Sequence, residues 1–366
     1  MAPSASSVLD DTRPPPRAAE RFTSSYSDLA RQVREAGLLR RAYGYYLAIG
    51  IGVTLALGGI VTGIVMLGDS WFQLLMAGAL GIVLTQIAFL THEAAHRQVF
   101  ASGPVNDRVG RWLANAVVGI SYSWWMTKHT RHHANPNQVG KDPDIAPDTI
   151  RFTPDDAADV RGPLRHITRR QGWLFFPLLT LEGLNLHVTS IRSLLTGPPK
   201  TFAARRREIV TIAVRLTLYV GVIVWFMPLG LAAAFIGVQL AVFGVYMGAS
   251  FAPNHKGMKL VPAGTKMDFL SKQVLTSRNI RGGWFMNVLM GGLNHQVEHH
   301  LFPSMPRPSL AKARLLVRDH CDRHGLPYTE TSLVASYAIV VRYLNQVGLA
   351  ARDPFDCPLR QELRGY

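Results

Sequence analysis

The feature that most restricts this chain is a stretch without cations. Residues 42 to 91 contain no Lys or Arg, and residues 43 to 68, "YGYYLAIGIGVTLALGGIVTGIVMLG", are an unbroken apolar run. A bilayer's hydrocarbon core is about 30 Å thick and takes about 20 helical residues to cross, so this run reads as a transmembrane helix. After Asp69 and Ser70, residues 71 to 90 read as a second span, and the charge-free connection makes the two a tight hairpin. Residues 209 to 227 and 231 to 251, joined by Pro228-Leu229-Gly230, read as a second hairpin. The expected fold class is all-α: a multi-pass membrane protein with four transmembrane helices in two hairpins and a cytoplasmic helical cap. Within it, residues 1–40 are expected as a disordered or interfacial N-terminal tail, 41–330 as the membrane domain and 331–366 as a cytoplasmic C-terminal extension.

Charge sets the expected orientation. Lys and Arg number 7 in residues 1 to 42, 16 in 92 to 208, 1 in 209 to 251 and 15 in 252 to 366. The positive-inside rule then places both termini and the long middle segment in the cytoplasm, with the hairpin tips outside. The net charge of +15 would attract anionic headgroups or a phosphate-bearing substrate such as a coenzyme A thioester. The basic residues are scattered and no recognition module is legible, which argues against nucleic acid as a partner. With only Cys321 and Cys357, both on the cytoplasmic side, a disulfide framework is excluded and reduced thiols are expected. The N-terminus lacks the apolar stretch of a signal peptide. Two half-apolar pieces, 112 to 126 and 173 to 195, read as interfacial or re-entrant helices.

The 13 histidines carry the functional signal. His92 and His96 lie at i and i+4 in "THEAAHRQVF"; His129, His132 and His133 lie at i, i+3 and i+4 in "KHTRHHANPNQVGKDPDI". His295, His299 and His300 lie in "GGLNHQVEHHLFP", and His255 sits at the end of the fourth span as His92 does at the end of the second. Read as H-E-x-x-H, residues 92 to 96 match a zinc helix with Glu93 as general base. A catalytic zinc takes three protein ligands and a water, however, and would leave most of these imidazoles unused. Eight or nine of them, without a Cys cluster, suit two borderline ions such as iron.

The ordered trio H-x-x-x-H, H-x-x-H-H and (H/Q)-x-x-H-H around two apolar hairpins resembles the membrane fatty acid desaturases and related hydroxylases, over residues from about 40 to 325. "NHQVEHHLFP" and "HHANPNQVGKDPDI" look more narrowly like bacterial acyl desaturases akin to front-end enzymes, whose third box begins with Gln. The resemblance implies a non-haem diiron centre, with O2 as co-substrate, that places a cis double bond in an acyl-CoA or acyl-lipid chain. The implied metal set is His92, His96, His129, His132, His133, His255, Gln296, His299 and His300. It leaves open whether His295 or Gln296 faces the metals. Family members often carry a fused cytochrome b5 domain with a His-Pro-Gly-Gly haem motif. None occurs here, so the resemblance implies a separate ferredoxin-like or flavin reductase as electron donor. The implied location is a bacterial plasma membrane, with the active site cytoplasmic.

Around the boxes, Glu93 and Glu298 are expected to hydrogen-bond ligand histidines and fix their tautomers. Asp142 and Asp144 either orient histidines or basic neighbours or serve Asp-Pro turns. Tyr122, Trp124 and Trp125 read as tunnel lining or as interface aromatics. His187 reads as a solvated interfacial residue or a headgroup contact, and His166, His320 and His324 as surface residues. Arg215, inside the third span, is expected to face protein or snorkel. Three rival functions remain: a hydroxylase of the same superfamily, an intramembrane zinc protease using His92, Glu93 and His96, and a non-catalytic metal carrier. The protease needs a third ligand, commonly an Asp in a later span, and residues 209 to 227 and 231 to 251 contain no acidic residue.

Overall fold

The computed structural model describes residues 18–197 and 202–351. The order begins with α1 (Ala18–Glu35), α2 (Tyr43–Leu67), α3 (Gln73–Ala95), α4 (Gly103–Trp112), a π-helical turn (Leu113–Val118) and α5 (Tyr122–Ala134). It continues through α6 (Pro154–Ala158), α7 (Leu164–Thr168), α8 (Gln171–Leu179), α9 (Glu182–Thr196), α10 (Phe202–Phe226) and α11 (Leu229–His255). The described residues close with α12 (Phe269–Leu275), α13 (Trp284–Leu289), α14 (Gln296–Leu301), α15 (Arg307–Arg323) and α16 (Leu333–Leu349). The strand content among the described residues is small: β1 (Asn279–Ile280) pairs in parallel with β2 (Glu330–Thr331).

Among the described residues, four helices are long and apolar enough to cross a membrane: α2, α3, the Arg205–Phe226 part of α10, and α11. They divide into an inner and an outer pair. In their most apolar windows, 39% of α3 and 33% of α11 is buried, against 11% for α2 and α10. The inner pair is the closest association of the set, with Leu84 and Ile87 of α3 packed against Phe243 of α11. The outer pair leaves Leu47, Leu55, Leu218 and Trp225 exposed, as helices that meet lipid should. The piece expected as interfacial or re-entrant at 173 to 195 forms α8 and α9, bent by 75° at a short break. Arg215 of α10 faces protein, giving its Nε–H to the Val117 carbonyl (3.0 Å).

Part of the expected N-terminal tail is instead integral to the fold. Residues 18–35 form α1, and Leu29 and Val33 are fully buried among Val274, Leu301, Leu310 and Cys321. The reason is an amphipathic pattern, "YSDLARQVRE", whose apolar positions four apart make one stripe. Residues 1–17 and Cys357 lie outside the described residues. In the expected C-terminal extension, α16 packs its Val340 and Leu344 against Phe175 and Leu179 of α8.

The third histidine box is pressed against α3 by a tight turn. Gly291 and Gly292 both take positive φ (58° and 83°), and a Cβ on Gly291 would stand 2.3 Å from Phe89 Cγ. We expect Gly291→Ala to cost about 1–3 kcal/mol through overpacking, with added backbone strain. The measurement is the thermal midpoint of the detergent-solubilised protein, and an unchanged midpoint would contradict the packing.

Candidate metal centre

The histidines converge at one end of α3 and α11. The last turn of α3 carries His92, with His96 just beyond it, and His255 is the last residue of α11. Helix α5, which brings three more, starts where Ser121 Oγ accepts the Trp124 N–H (3.2 Å). The same hydroxyl donates to the buried Glu208 (2.6 Å), which fixes α5 against α10.

Two groups result. The ring nitrogens of His92, His96, His129, His133 and His299 all lie within 4.8 Å of one another, and so do those of His132, His255 and His300. Helical geometry explains the split within α5: consecutive residues are about 100° apart, so His129 and His133 share a face that His132 does not. The same rotation sends the adjacent His299 and His300 to different groups. Gln296 joins the second group, its amide nitrogen 2.9 Å from His255 Nε2.

The donor set fits metal ions. In the second group every Nδ1 is engaged: His132 with Asp142 Oδ1 (3.0 Å), His255 with the Thr276 carbonyl (2.9 Å), His300 with Gln273 Oε1 (2.8 Å). Each of those acceptors fixes the proton on Nδ1 and leaves a bare lone pair on Nε2. His300 Nε2 is buried with no hydrogen-bond partner. Between rings, Nε2 to Nε2 distances are 3.1 Å for His92 and His129, 2.7 Å for His96 and His129, 3.2 Å for His133 and His299, and 3.3 Å for His132 and His255. Two nitrogens at right angles about an ion held at about 2.1 Å are roughly 3.0 Å apart, so these spacings are those of ligand pairs.

Electrostatics point the same way. Burial pushes the His96 imidazole down to about 3, and burial with neighbouring histidines holds His129, His133, His299 and His300 well below the ordinary value. These rings are neutral at pH 7 and free to donate lone pairs. His132 is the exception. Burial opposes its charge, but Asp144 and Asp142 outweigh it and raise its pKa, the pattern of a carboxylate backing a ligand imidazole.

Several expectations need correction. Glu93 does not touch a histidine: it pairs in bidentate fashion with Arg307 (2.5 and 2.8 Å), both side chains 2% exposed. A general base for a zinc protease is thereby tied up. Glu298 accepts instead from Asn279 Nδ2 (2.7 Å) and Tyr328 (2.8 Å). His187 is buried between the Gly183 and Val118 carbonyls, and His320 is buried against Ser25 Oγ (2.5 Å), whereas His166 and His324 are exposed. His295 is buried, with Arg314 and Glu330 as its charged neighbours, and stands outside both groups. Sequence reasoning missed Gln273, which joins His300 to the His133 carbonyl (3.0 Å), and Arg307. A carboxylate in an apolar helix implies a buried cation somewhere, but nothing in the sequence says which.

A cavity of about 680 Å³ opens onto both groups, reaching His92, His129 and His299 of the first and His132, His255 and Gln296 of the second. Trp124 and Trp125 line it. Tyr122 does not; it is buried with its hydroxyl toward Asp107 (3.4 Å).

Comparison with known proteins gives a consistent result. Residues 69–332 match the sequence profile described as Fatty acid desaturase. An Acyl-lipid (9-3)-desaturase of Physcomitrium patens is 31% identical over 75% of this chain and 53% of its own length. A Delta(8)-fatty-acid desaturase of Helianthus annuus is 27% identical over 91% of this chain and 75% of its own. A Delta(6)-fatty-acid desaturase of Caenorhabditis elegans is 28% identical over 90% of this chain and 76% of its own. The chain thus spans about half the length of the moss relative.

The Glu93 and Arg307 pair gives a stability test. We expect Arg307→Met, which strands a buried carboxylate, to cost about 3–5 kcal/mol, and Glu93→Gln with Arg307→Met together to cost much less. Chemical denaturation of the single and double variants measures the difference; equal losses would refute the coupling.

Proposed function

The chain belongs to the fatty acid desaturase family, and from that premise we propose that it removes two hydrogens from a saturated fatty acyl chain to leave a cis double bond. The observation that carries this reading is the two groups of converging imidazoles opening onto one largely apolar cavity. His92, His96, His129, His133 and His299 would hold one ion, and His132, His255 and His300, with Gln296 beside them, the other. Two iron ions bound there would supply the O2-dependent oxidising power that an unactivated C–H bond requires, because such a bond gives an acid or base nothing to grip.

The protein's own part is to hold the chain in register and keep water out. Along α11 the cavity wall runs from Phe243 through Met247 and Phe251 to His255 and Lys256, so on this helix apolar side chains precede the histidine and a lysine follows it. Thirteen helical residues span about 20 Å. An acyl chain would lie with its methyl end toward Phe243 and its head end near Lys256, which puts the new double bond nearer the head end. The Delta(8) and Delta(6) in the names of two relatives count from the carboxyl end and favour the same placement. Access from the membrane is supported by exposed Leu181, Leu184 and Val188, which also line the cavity.

Reducing O2 to two waters while forming one double bond takes two electrons beyond those from the acyl chain, and an electron donor supplies these at the basic face. That face, with both termini and the histidines, lies in the cytoplasm by the Lys and Arg distribution.

Lipids of cells expressing the chain should gain a cis-unsaturated acyl species, and the purified protein should hold about two irons per chain. His92→Ala, His132→Ala or His299→Ala should abolish the product while the protein still inserts. An alcohol as product, or a single zinc, would sink the reading. Gln296 lies against His255 while His295 faces Arg314 and Glu330. Gln296→Ala should therefore lower turnover more than His295→Ala. Loss of one iron in His295→Ala with full turnover in Gln296→Ala would reverse that order.

A further inference from the structure

Lys128, Lys256, Asp144, Asp148 and Glu182 all line the cavity, and its two lysines are unequally matched. Lys128 Nζ is paired with Asp144 Oδ1 (3.0 Å). Asp142 is committed to His132, to the Asn137 N–H (2.7 Å) and to the Asp144 N–H (2.9 Å). Lys256 is different. It follows His255 directly, and its Nζ donates to the backbone carbonyl of Asp144 (2.8 Å) and sits 4.1 Å from the centre of the Phe152 ring. No carboxylate lies within ion-pair distance of it among the described residues. An ammonium has three N–H groups, so one carbonyl and one ring face leave donor capacity at the cavity wall.

We propose that the Lys256 ammonium binds the acyl carbonyl oxygen of the substrate and so fixes which methylenes lie against the two histidine groups. The inference rests on the desaturase reading and deepens it: the ligand is the carbonyl of an ester or thioester, and the residue sets the position of the double bond. Three features make Lys256 suited to this. It is one residue from a histidine of the second group, so the pinned carbonyl is a short, fixed distance from the reacting carbons. Its contacts with Asp144 and Phe152 hold the side chain still, which a ruler requires. Its position at the opposite end from Phe243 leaves the apolar length of the cavity for the rest of the chain.

The test uses the full chain in vesicles with its electron supply, and reads double-bond position together with iron per chain and KM. Lys256→Met should turn one product isomer into several and raise KM about tenfold, as loss of a charged hydrogen bond implies, with iron unchanged; Lys256→Arg should restore the single isomer. A single wild-type isomer and an unchanged KM in Lys256→Met would overturn the proposal. So would loss of iron without loss of positional selectivity, which would make Lys256 a structural residue only. Should Lys256→Met fail to fold, the wild-type protein still decides the matter by binding. Whichever of ester-linked phosphatidylcholine and stearoyl-coenzyme A the protein desaturates should bind about tenfold more tightly than its ether or thioether analogue, which lacks the carbonyl, and equal binding would overturn it. Stearoyl-coenzyme A run beside the ester lipid identifies which carrier presents the carbonyl. If the wild-type protein desaturates neither, the desaturase reading fails, a result distinct from failure of the Lys256 subsite.

Discussion

Eight imidazole rings with lone pairs turned toward one another are the interaction on which the rest of this structure depends. Such a convergence is unfavourable by itself and favourable around cations, so the fold has to hold the rings against their own repulsion. It does so with a ring of neighbours that are not themselves in the two groups. Asp142, the Thr276 carbonyl and Gln273 each occupy an Nδ1, and each comes from a segment outside the helix that carries its histidine. Orienting partners of this kind are what tune a metal site, and here they also knit α5, α11 and α14 together.

A second layer of buried polar contacts fixes the elements themselves. Arg307 ties the start of α15 to Glu93 on α3, while Glu298 on α14 takes hydrogen bonds from Asn279 of β1 and from Tyr328. Buried ion pairs are poor sources of net stability, because desolvation cancels much of the attraction. Their use here is registry. The segment from Gly291 to Arg307 holds only a 3-10 turn and the six-residue α14, and these contacts place its histidines opposite those of α3.

The same division of labour runs through the membrane part. Outer helices α2 and α10 present apolar side chains outward, and inner helices α3 and α11 bury theirs and end in histidines. Because α8 and α9 bend beside α11, a largely apolar cavity reaches from the level of Phe243 up to the two histidine groups. Cavity, histidines and lipid-facing helices are thus brought together at one end of one helix pair.

The amino-acid sequence by itself determined the four apolar helices and the histidine boxes, because hydrocarbon length and i, i+3, i+4 spacing are local properties written residue by residue. It also determined the family, through motifs that are contiguous. Tertiary structure alone decided how the boxes are shared out. His132 and His133, neighbours in sequence, serve different groups, as do His299 and His300, because the groups are defined by which helix faces meet and not by which box a residue belongs to. It decided that Glu93 answers to Arg307, 214 residues away, that His187 and His320 are buried, and that α1 is part of the core. A buried charge requires a partner, but the requirement carries no address; only the packing of distant segments supplies one.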